Sequence, residues 1–147
     1  MRMRLLDRVN YPKFTKYVKN DLPTVADVPV IVKALERFGQ IDRPTLQRAL
    51  VWDEGPDIKV VYEDDIPGYG QFTPGEESNE IRIRRDVVQE FENGRGLYPT
   101  KSGRLVYLAG VTLLHELVHW ADDRDGIQTS GEEGKRFEIA VYGKVIG

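Results

Sequence analysis

The chain has 147 residues, a formal net charge of −3 at pH 7 and no cysteine. This length suits one domain with a sizeable core, and we expect a single domain over residues 1–147. The lack of cysteine excludes a disulfide framework, a thiolate metal site and a cysteine nucleophile. Basic residues cluster only in the short segment 1–20 of an acidic chain, so no nucleic-acid partner is expected.

The N-terminal segment MRMRLLD is basic but lacks the apolar run of a signal peptide. We therefore expect a soluble protein that is cytoplasmic in the producing cell, with any export using a route without a cleaved signal. The apolar stretch 105–121 approaches transmembrane length. Three ionisable groups near its centre argue against a membrane span.

The first half of the chain predicts two helices. One is expected to begin near Asp27, with Pro29 in its first turn, and to end at Gly39. The other is expected to open at Asp42 and to run to about Val51.

The second half predicts strands first and helices later. Strands are expected at residues 58–64, 71–73 and 80–85, the last with alternating apolar and basic side chains. A short helix is expected at residues 86–93. This order favours an α+β fold with a small, mostly antiparallel sheet.

Two further helices complete the prediction. A long helix is expected over residues 105–121, with Ser102 as its N-cap. The last helix is expected from about Gly131 to Tyr142, followed by Gly143 as C-cap.

The stretch LVYLAGVTLLHELVHWA, residues 105–121, holds the only two histidines of the chain. On a helix, His115 and His119 lie about 40° apart, with Glu116 about 100° from His115. A helix that is apolar all round should be buried, and burying these three groups is costly unless a partner satisfies them. His-Glu-x-x-His on a helix is the zinc-metallopeptidase signature, in which the imidazoles bind zinc and the Glu is the general base.

A catalytic zinc ion needs a third protein ligand, and no His or Cys remains to supply it. Asp122 and Asp125 are alternatives. Asp125 lies where metzincin-type sites place their third ligand, but that arrangement needs a glycine where Asp122 stands. It also needs a later methionine turn, and the only methionines are Met1 and Met3.

Glu138 is the best candidate for the third ligand. It lies on one face of the last predicted helix with Gly134, Phe137 and Val141, and a carboxylate in an apolar stripe needs a cation or a partner. Its spacing from His119 is typical of the gluzincin type of zinc peptidase. An ordinary salt-bridged Glu138 is the competing interpretation.

This interpretation predicts a zinc-dependent endopeptidase with one zinc ion. Glu116 would take a proton from zinc-bound water and pass it to the leaving amine. Tyr142, one turn beyond Glu138, is a candidate donor to the developing oxyanion, with a core tyrosine as the alternative.

The alternating strand suggests a surface for a peptide or protein substrate. An extended substrate could add to the strand formed by Ile81, Arg82, Ile83 and Arg84. Arg82 or Arg84 would then bind an acidic substrate group, although solvated charges on an edge strand explain them equally well.

Several stretches resemble one protein family: LLHELVHWADD from Leu113, GKRFEIAVYG ending at Gly143, YPKF from Tyr11, GPDIKVV from Gly55, and IRI from Ile81 with the helix after it. Together they cover nearly the whole chain and are similar to metallopeptidase toxin 3 domains of bacterial polymorphic toxin systems. The resemblance also selects Glu138 as third ligand beside His115 and His119.

The resemblance implies a zincin fold and a zinc-dependent peptidase toxin. It further implies an antibacterial effector exported to target cells by a specialised secretion system, with a cognate immunity protein as partner. A toxin module cut from a larger polypeptide is equally compatible with the sequence.

Two other functions remain open at this point. A peptidoglycan-peptide amide hydrolase would use the same zinc chemistry, so the motif does not separate it from a peptidase. A non-catalytic binding module could keep zinc as a structural clip, since structural sites are closed by four protein ligands and Asp122 or Asp125 could be the fourth.

Overall fold

The computed structural model describes residues 1–75, 79–124 and 132–147. The α-helices are α1 (Leu5–Asn10), α2 (Pro12–Lys16), α3 (Pro29–Gly39), α4 (Arg43–Leu50), α5 (Arg85–Glu92), α6 (Leu108–Arg124) and α7 (Glu133–Tyr142). A π-helical turn (Tyr17–Asp21) and a 3-10 segment (Leu22–Asp27) join α2 to α3, and a second 3-10 turn covers Glu63–Asp65.

The strands are β1 (Arg2–Met3), β2 (Asp57–Val61), β3 (Gly70–Phe72), β4 (Glu80–Arg84), β5 (Leu97–Pro99) and β6 (Leu105–Tyr107). The first four form one sheet in the order β1-β2-β4-β3, and β5 pairs with β6 as a separate hairpin. The α+β class expected from the sequence is therefore observed.

The expectation of a mostly antiparallel sheet is wrong for the four-stranded sheet. β1 with β2 and β2 with β4 are parallel pairs, and only β3 pairs antiparallel, with β4. Parallel neighbours need long crossover connections. The helices α1 to α4 provide one between β1 and β2, and residues 62–79 provide the other.

The long helix begins later than predicted, at Leu108, because residues 105–107 pair with β5 as a strand. Ser102 therefore lies in the hairpin turn, where the N–H of Gly103 donates to the carbonyl of Thr100. An apolar run that continues from strand into helix shows no break in hydrophobicity, so periodicity alone could not separate the two.

Other helix boundaries agree with the sequence. The Asp42 side chain accepts a hydrogen bond from the N–H of Thr45 and so caps the N-terminus of α4. The last helix ends at Tyr142, and Gly143 follows in the left-handed conformation, as predicted. Its predicted start at Gly131 lies outside the described residues.

α6 lies at the centre of the core. It packs against β3 and β4 of the sheet and against α3 and α7. Leu113, Leu117 and Val118 of α6 are fully buried, together with Ile81 and Ile83 of β4. Gly39 of α3 allows close approach to α6, because an added Cβ would lie 2.8 Å from that of Ala121.

No helix within the described ranges is long and apolar enough to cross a membrane.

Leu117→Ala should lower the free energy of unfolding by about 2–5 kcal/mol, because it leaves a cavity in the core around α6. Urea denaturation measures this change. Leu105→Ala is the matched control, since Leu105 is 56% exposed and its truncation should have little effect. Equal losses in both variants would contradict the central position of α6.

Candidate active site

The predicted motif lies in the middle of α6. His115 and His119 lie one turn apart with ring centroids separated by 5.2 Å. Glu116 is 7% exposed, so its carboxylate lies in a poorly solvated environment. The apolar residues on either side of the motif bury it, as the sequence indicated.

α7 brings the second half of the site to His115. Glu138 is only 1% exposed, and its Oε2 lies 2.5 Å from Nδ1 of His115. Gly134, one turn earlier, makes the approach possible: a Cβ at this position would lie 2.2 Å from Nε2 of the same imidazole. Any larger residue at 134 would displace the ring.

The segment after α7 holds the other oxygen of Glu138. The backbone N–H groups of Ile146 and Gly147 donate to its Oε1, at 2.8 and 3.0 Å. Sequence patterns did not indicate these two residues, because a backbone donor has no residue-type signature. Three donors therefore fix the orientation of this carboxylate.

His115 and Glu138 influence each other's protonation. Burial alone would lower the pKa of His115, but the hydrogen bond to Glu138 and the charges of Glu116 and Glu138 outweigh it and raise the pKa. Burial likewise acts to raise the pKa of Glu138, yet the bonds from His115, Gly147 and Ile146 bring it below its ordinary value. The pair thus favours imidazolium and carboxylate.

Glu116 is tuned differently. Burial raises its pKa to about 7, although the charge of His115 and a hydrogen bond from the backbone N–H of Phe72 oppose the rise. Phe72 belongs to the edge strand β3, and this strand lies against Glu116, since a Cβ on Gly70 would lie 3.0 Å from Cγ of Glu116. Gly70 of the same strand allows the close contact, since a Cβ there would lie 2.6 Å from Thr112.

His119 lies in a third electrostatic environment. Burial, followed by the charge of His115, lowers its pKa, against the opposing charges of Glu133 and Glu132. Glu133 is buried at the start of α7. In the sequence, Glu133 is both a candidate metal ligand and, by its spacing from Ser130, a candidate capping residue; Ser130 lies outside the described residues.

A cleft of about 390 Å³ opens beside these groups. His115, Glu116 and Glu138 line it together with residues of β3, β4 and the intervening segment. The other lining residues are Pro67, Gly68, Tyr69, Gly70, Arg84, Val111, Thr112 and Gly147.

Two other residues that the sequence suggested, Asp122 and Tyr142, do not line this cleft. Asp122 is buried near the C-terminal end of α6 and does not line the cleft. Asp125 falls outside the described residues. Tyr142 is buried against Phe137, with ring centroids 6.2 Å apart, and is likewise absent from the cleft wall. Its proposed role as an oxyanion donor stays a prediction.

The expectation that substrate adds to residues 81–84 is wrong. Both edges of β4 are already paired, with β2 and with β3, and Ile81 and Ile83 are core residues. The edge strand beside the cleft is β3. Of the two arginines, Arg84 lines the cleft, whereas Arg82 pairs with Glu80 and borders a different cavity.

The donor atoms of His115, His119 and Glu138 are of the kinds that bind metal ions. Two imidazoles and a carboxylate are donors that suit zinc. No group of three or more His, Cys, Asp or Glu side chains in the described ranges is arranged to hold a metal ion. At His115, Nδ1 bonds to Glu138 and Nε2 faces Gly134. The donor set fits zinc, but joint coordination requires exchange of this hydrogen bond for bonds to the metal.

The comparison with protein families gives a clear result. The model of the family described as metallopeptidase toxin 3 matches residues 7–143. The chain therefore belongs to this family of metallopeptidase toxins, as the sequence motifs indicated. The family implies a metal ion and peptidase activity. No curated protein and no solved structure matches the chain.

Gly134→Ala should weaken metal binding about 10- to 100-fold, because the new methyl group displaces the His115 imidazole. Competition with a chromophoric chelator measures the affinity. Alanine is favoured over glycine inside a helix by about 1 kcal/mol, so a loss cannot come from helix propensity. Wild-type affinity in this variant would show that His115 does not need this space.

Ile146→Pro should weaken metal binding about tenfold, because proline removes one of the two backbone donors to Glu138. Val145→Pro is the matched control, since the N–H of Val145 makes no hydrogen bond with the described residues. Calorimetric zinc titration of both variants makes the comparison. Equal affinity in the two would exclude a positioning role for the Ile146 N–H.

Proposed function

We propose that this chain is a zinc-dependent endopeptidase of the gluzincin type. The observation that carries the proposal is the junction of α6 and α7, where Glu138 meets His115 beside a buried Glu116 that lines a cleft. His115, His119 and Glu138 would hold the metal. When bound, zinc lowers the pKa of a coordinated water and polarises the scissile carbonyl.

Glu116 is the general base in this proposal. Its pKa of about 7 lets it accept a proton from the attacking water and release it to the leaving amine near neutral pH. The N–H of Phe72 holds the carboxylate toward the edge strand. Glu116 therefore lies where an extended peptide along that strand would pass.

The edge strand β3 is the proposed substrate-binding surface. The N–H of Arg84 donates to the carbonyl of Tyr69 at 2.8 Å, so Tyr69 and Arg84 form a hydrogen-bonded pair. In an antiparallel ladder, the next residue, Gly70, then directs its N–H and its carbonyl away from β4. A peptide can add to this edge by backbone hydrogen bonds.

The family also supports a proposal about biology. We infer an antibacterial effector that is exported to target cells by a specialised secretion system and neutralised in the producer by a cognate immunity protein. Membership in a family of metallopeptidase toxins supports this role.

Glu116→Gln should keep zinc but lower peptide hydrolysis about a hundredfold to ten-thousandfold, because the amide cannot accept the proton. The measurement expresses the wild type and the variant in the bacterial cytoplasm and periplasm and identifies new protein termini by mass spectrometry. Full activity of the variant would remove Glu116 from the mechanism. Release of murein peptides without new protein termini would favour the amide hydrolase instead.

Glu138→Gln tests the third ligand. The amide keeps a hydrogen-bonding oxygen for the N–H groups of Ile146 and Gly147, but it is a poor zinc ligand, so metal analysis should show loss of zinc. Ile139→Ala is a control on the same helix, since Ile139 is 53% exposed. Undiminished zinc in Glu138→Gln would assign Glu138 to orienting His115 rather than to binding the metal.

A further inference from the structure

Arg84 occupies a distinctive position in the cleft wall. It is the last residue of β4 and lies opposite Tyr69 across the ladder to the edge strand. Both residues line the main cleft and also a neighbouring cavity of about 180 Å³. Arg84 and Tyr69 therefore stand between the two spaces.

The guanidinium is held in a fixed orientation. Its Nε donates to Oδ1 of Asp86 at 3.0 Å and its Nη2 to Oδ2 at 2.6 Å. On another side, its Cζ lies 5.2 Å from the centre of the Tyr69 ring. Since two neighbours already restrain the side chain, little conformational entropy is left to lose when a ligand binds.

The two hydrogen bonds to Asp86 use only some of the N–H donors of the Arg84 side chain. A guanidinium has five N–H donors, and two nitrogens bond to Asp86. In the part of the chain that the structure describes, the Arg84 side chain has no other hydrogen-bond acceptor. Its side chain remains 25% exposed, so water or a ligand can reach the remaining donors.

Arg84 differs in charge from the other side chains that line the cleft. Among the side chains of the described lining, the other ionisable ones, apart from Tyr69, are His115, Glu116 and Glu138. Arg84 is thus the one lining residue in these ranges that is cationic at every physiological pH.

We propose that Arg84 binds a carboxylate of the substrate, which makes it a specificity-determining residue. Guanidinium forks match carboxylates in geometry and form charge-assisted hydrogen bonds with them. This inference rests on the proposed peptidase function and names its substrate class: peptides with a carboxylate at a fixed distance from the scissile bond. The carboxylate is either an Asp or Glu side chain or a free C-terminus.

The residues of the neighbouring cavity indicate from which side of Arg84 the substrate carboxylate approaches. Asp86 lines that cavity but not the cleft, and it already occupies two nitrogens of the guanidinium there. The carboxylate therefore binds on the cleft side of Arg84. The cavity, which Val87, Tyr98 and Leu108 also line, suits an uncharged or basic neighbouring residue.

The test compares the cleavage of a peptide library from denatured bacterial protein by zinc-loaded wild type, Arg84→Met and Arg84→Lys. Mass spectrometry locates the cleaved bonds. Wild type should show Asp or Glu, or a free C-terminus, enriched at one position, and Arg84→Met should lose this enrichment. Arg84→Lys keeps the charge without the fork and should retain part of it. Arg95→Met is the control, because Arg95 is exposed and does not line the cleft.

Matched peptides then separate the two sources of the carboxylate. The best-cleaved peptide is compared with its Glu→Gln or Asp→Asn analogue and with its C-terminal amide. Loss of the carboxylate that Arg84 binds should lower kcat/KM about 10- to 100-fold in wild type, and by less than threefold in Arg84→Met. Equal discrimination in wild type and Arg84→Met overturns the inference.

A binding measurement keeps this inference separate from the proposed function. Zinc-loaded Glu116→Gln, with and without Arg84→Met, is titrated calorimetrically with a Glu-rich peptide and its Gln counterpart, each as free acid and as C-terminal amide. Tighter binding of the carboxylate forms that disappears with Arg84→Met supports the inference, even if the wild type hydrolyses no peptide. Hydrolysis without any carboxylate preference overturns it and leaves the peptidase proposal standing.

Discussion

The contact between Glu138 and His115 is the interaction on which the arrangement of this protein depends. A carboxylate that is 1% exposed would be unfavourable without partners, and it has three: the imidazole and the N–H groups of Ile146 and Gly147. Gly134 provides the space for the ring. The packing of α7 on α6 and the placement of the final residues therefore meet at one side chain, which is also the proposed metal ligand.

The sheet contributes the other constraint. β3 is a strand of three residues, yet it holds the Glu116 carboxylate through the N–H of Phe72 and lies tightly on α6 at Gly70. The same strand presents backbone groups away from β4, beside the cleft. One short element thus positions the proposed base and offers the proposed binding edge, while Arg84 at the end of β4 supplies a cation.

Sequence patterns predicted the helices best. Asp42, Pro29 and Gly39 marked helix ends correctly, because caps and prolines act through local backbone chemistry. The parallel pairing of β1, β2 and β4 could not be predicted, since it depends on long connections rather than on the strands. The start of α6 was placed too early, because residues 105–107 are as apolar as the helix they precede.

The sequence alone determined the motif, its burial and the best partner carboxylate: two histidines and a glutamate in an apolar helix need neighbours, and Glu138 is the acid in an apolar stripe. Only the tertiary structure decided how they meet. Glu138 bonds to Nδ1 of His115, and the N–H of Phe72 lowers the pKa of Glu116. Arg84 rather than Arg82 lines the cleft. Tyr142 packs against Phe137 in the core. These relations join residues far apart in the chain through backbone donors and strand order, neither of which leaves a residue-type signal.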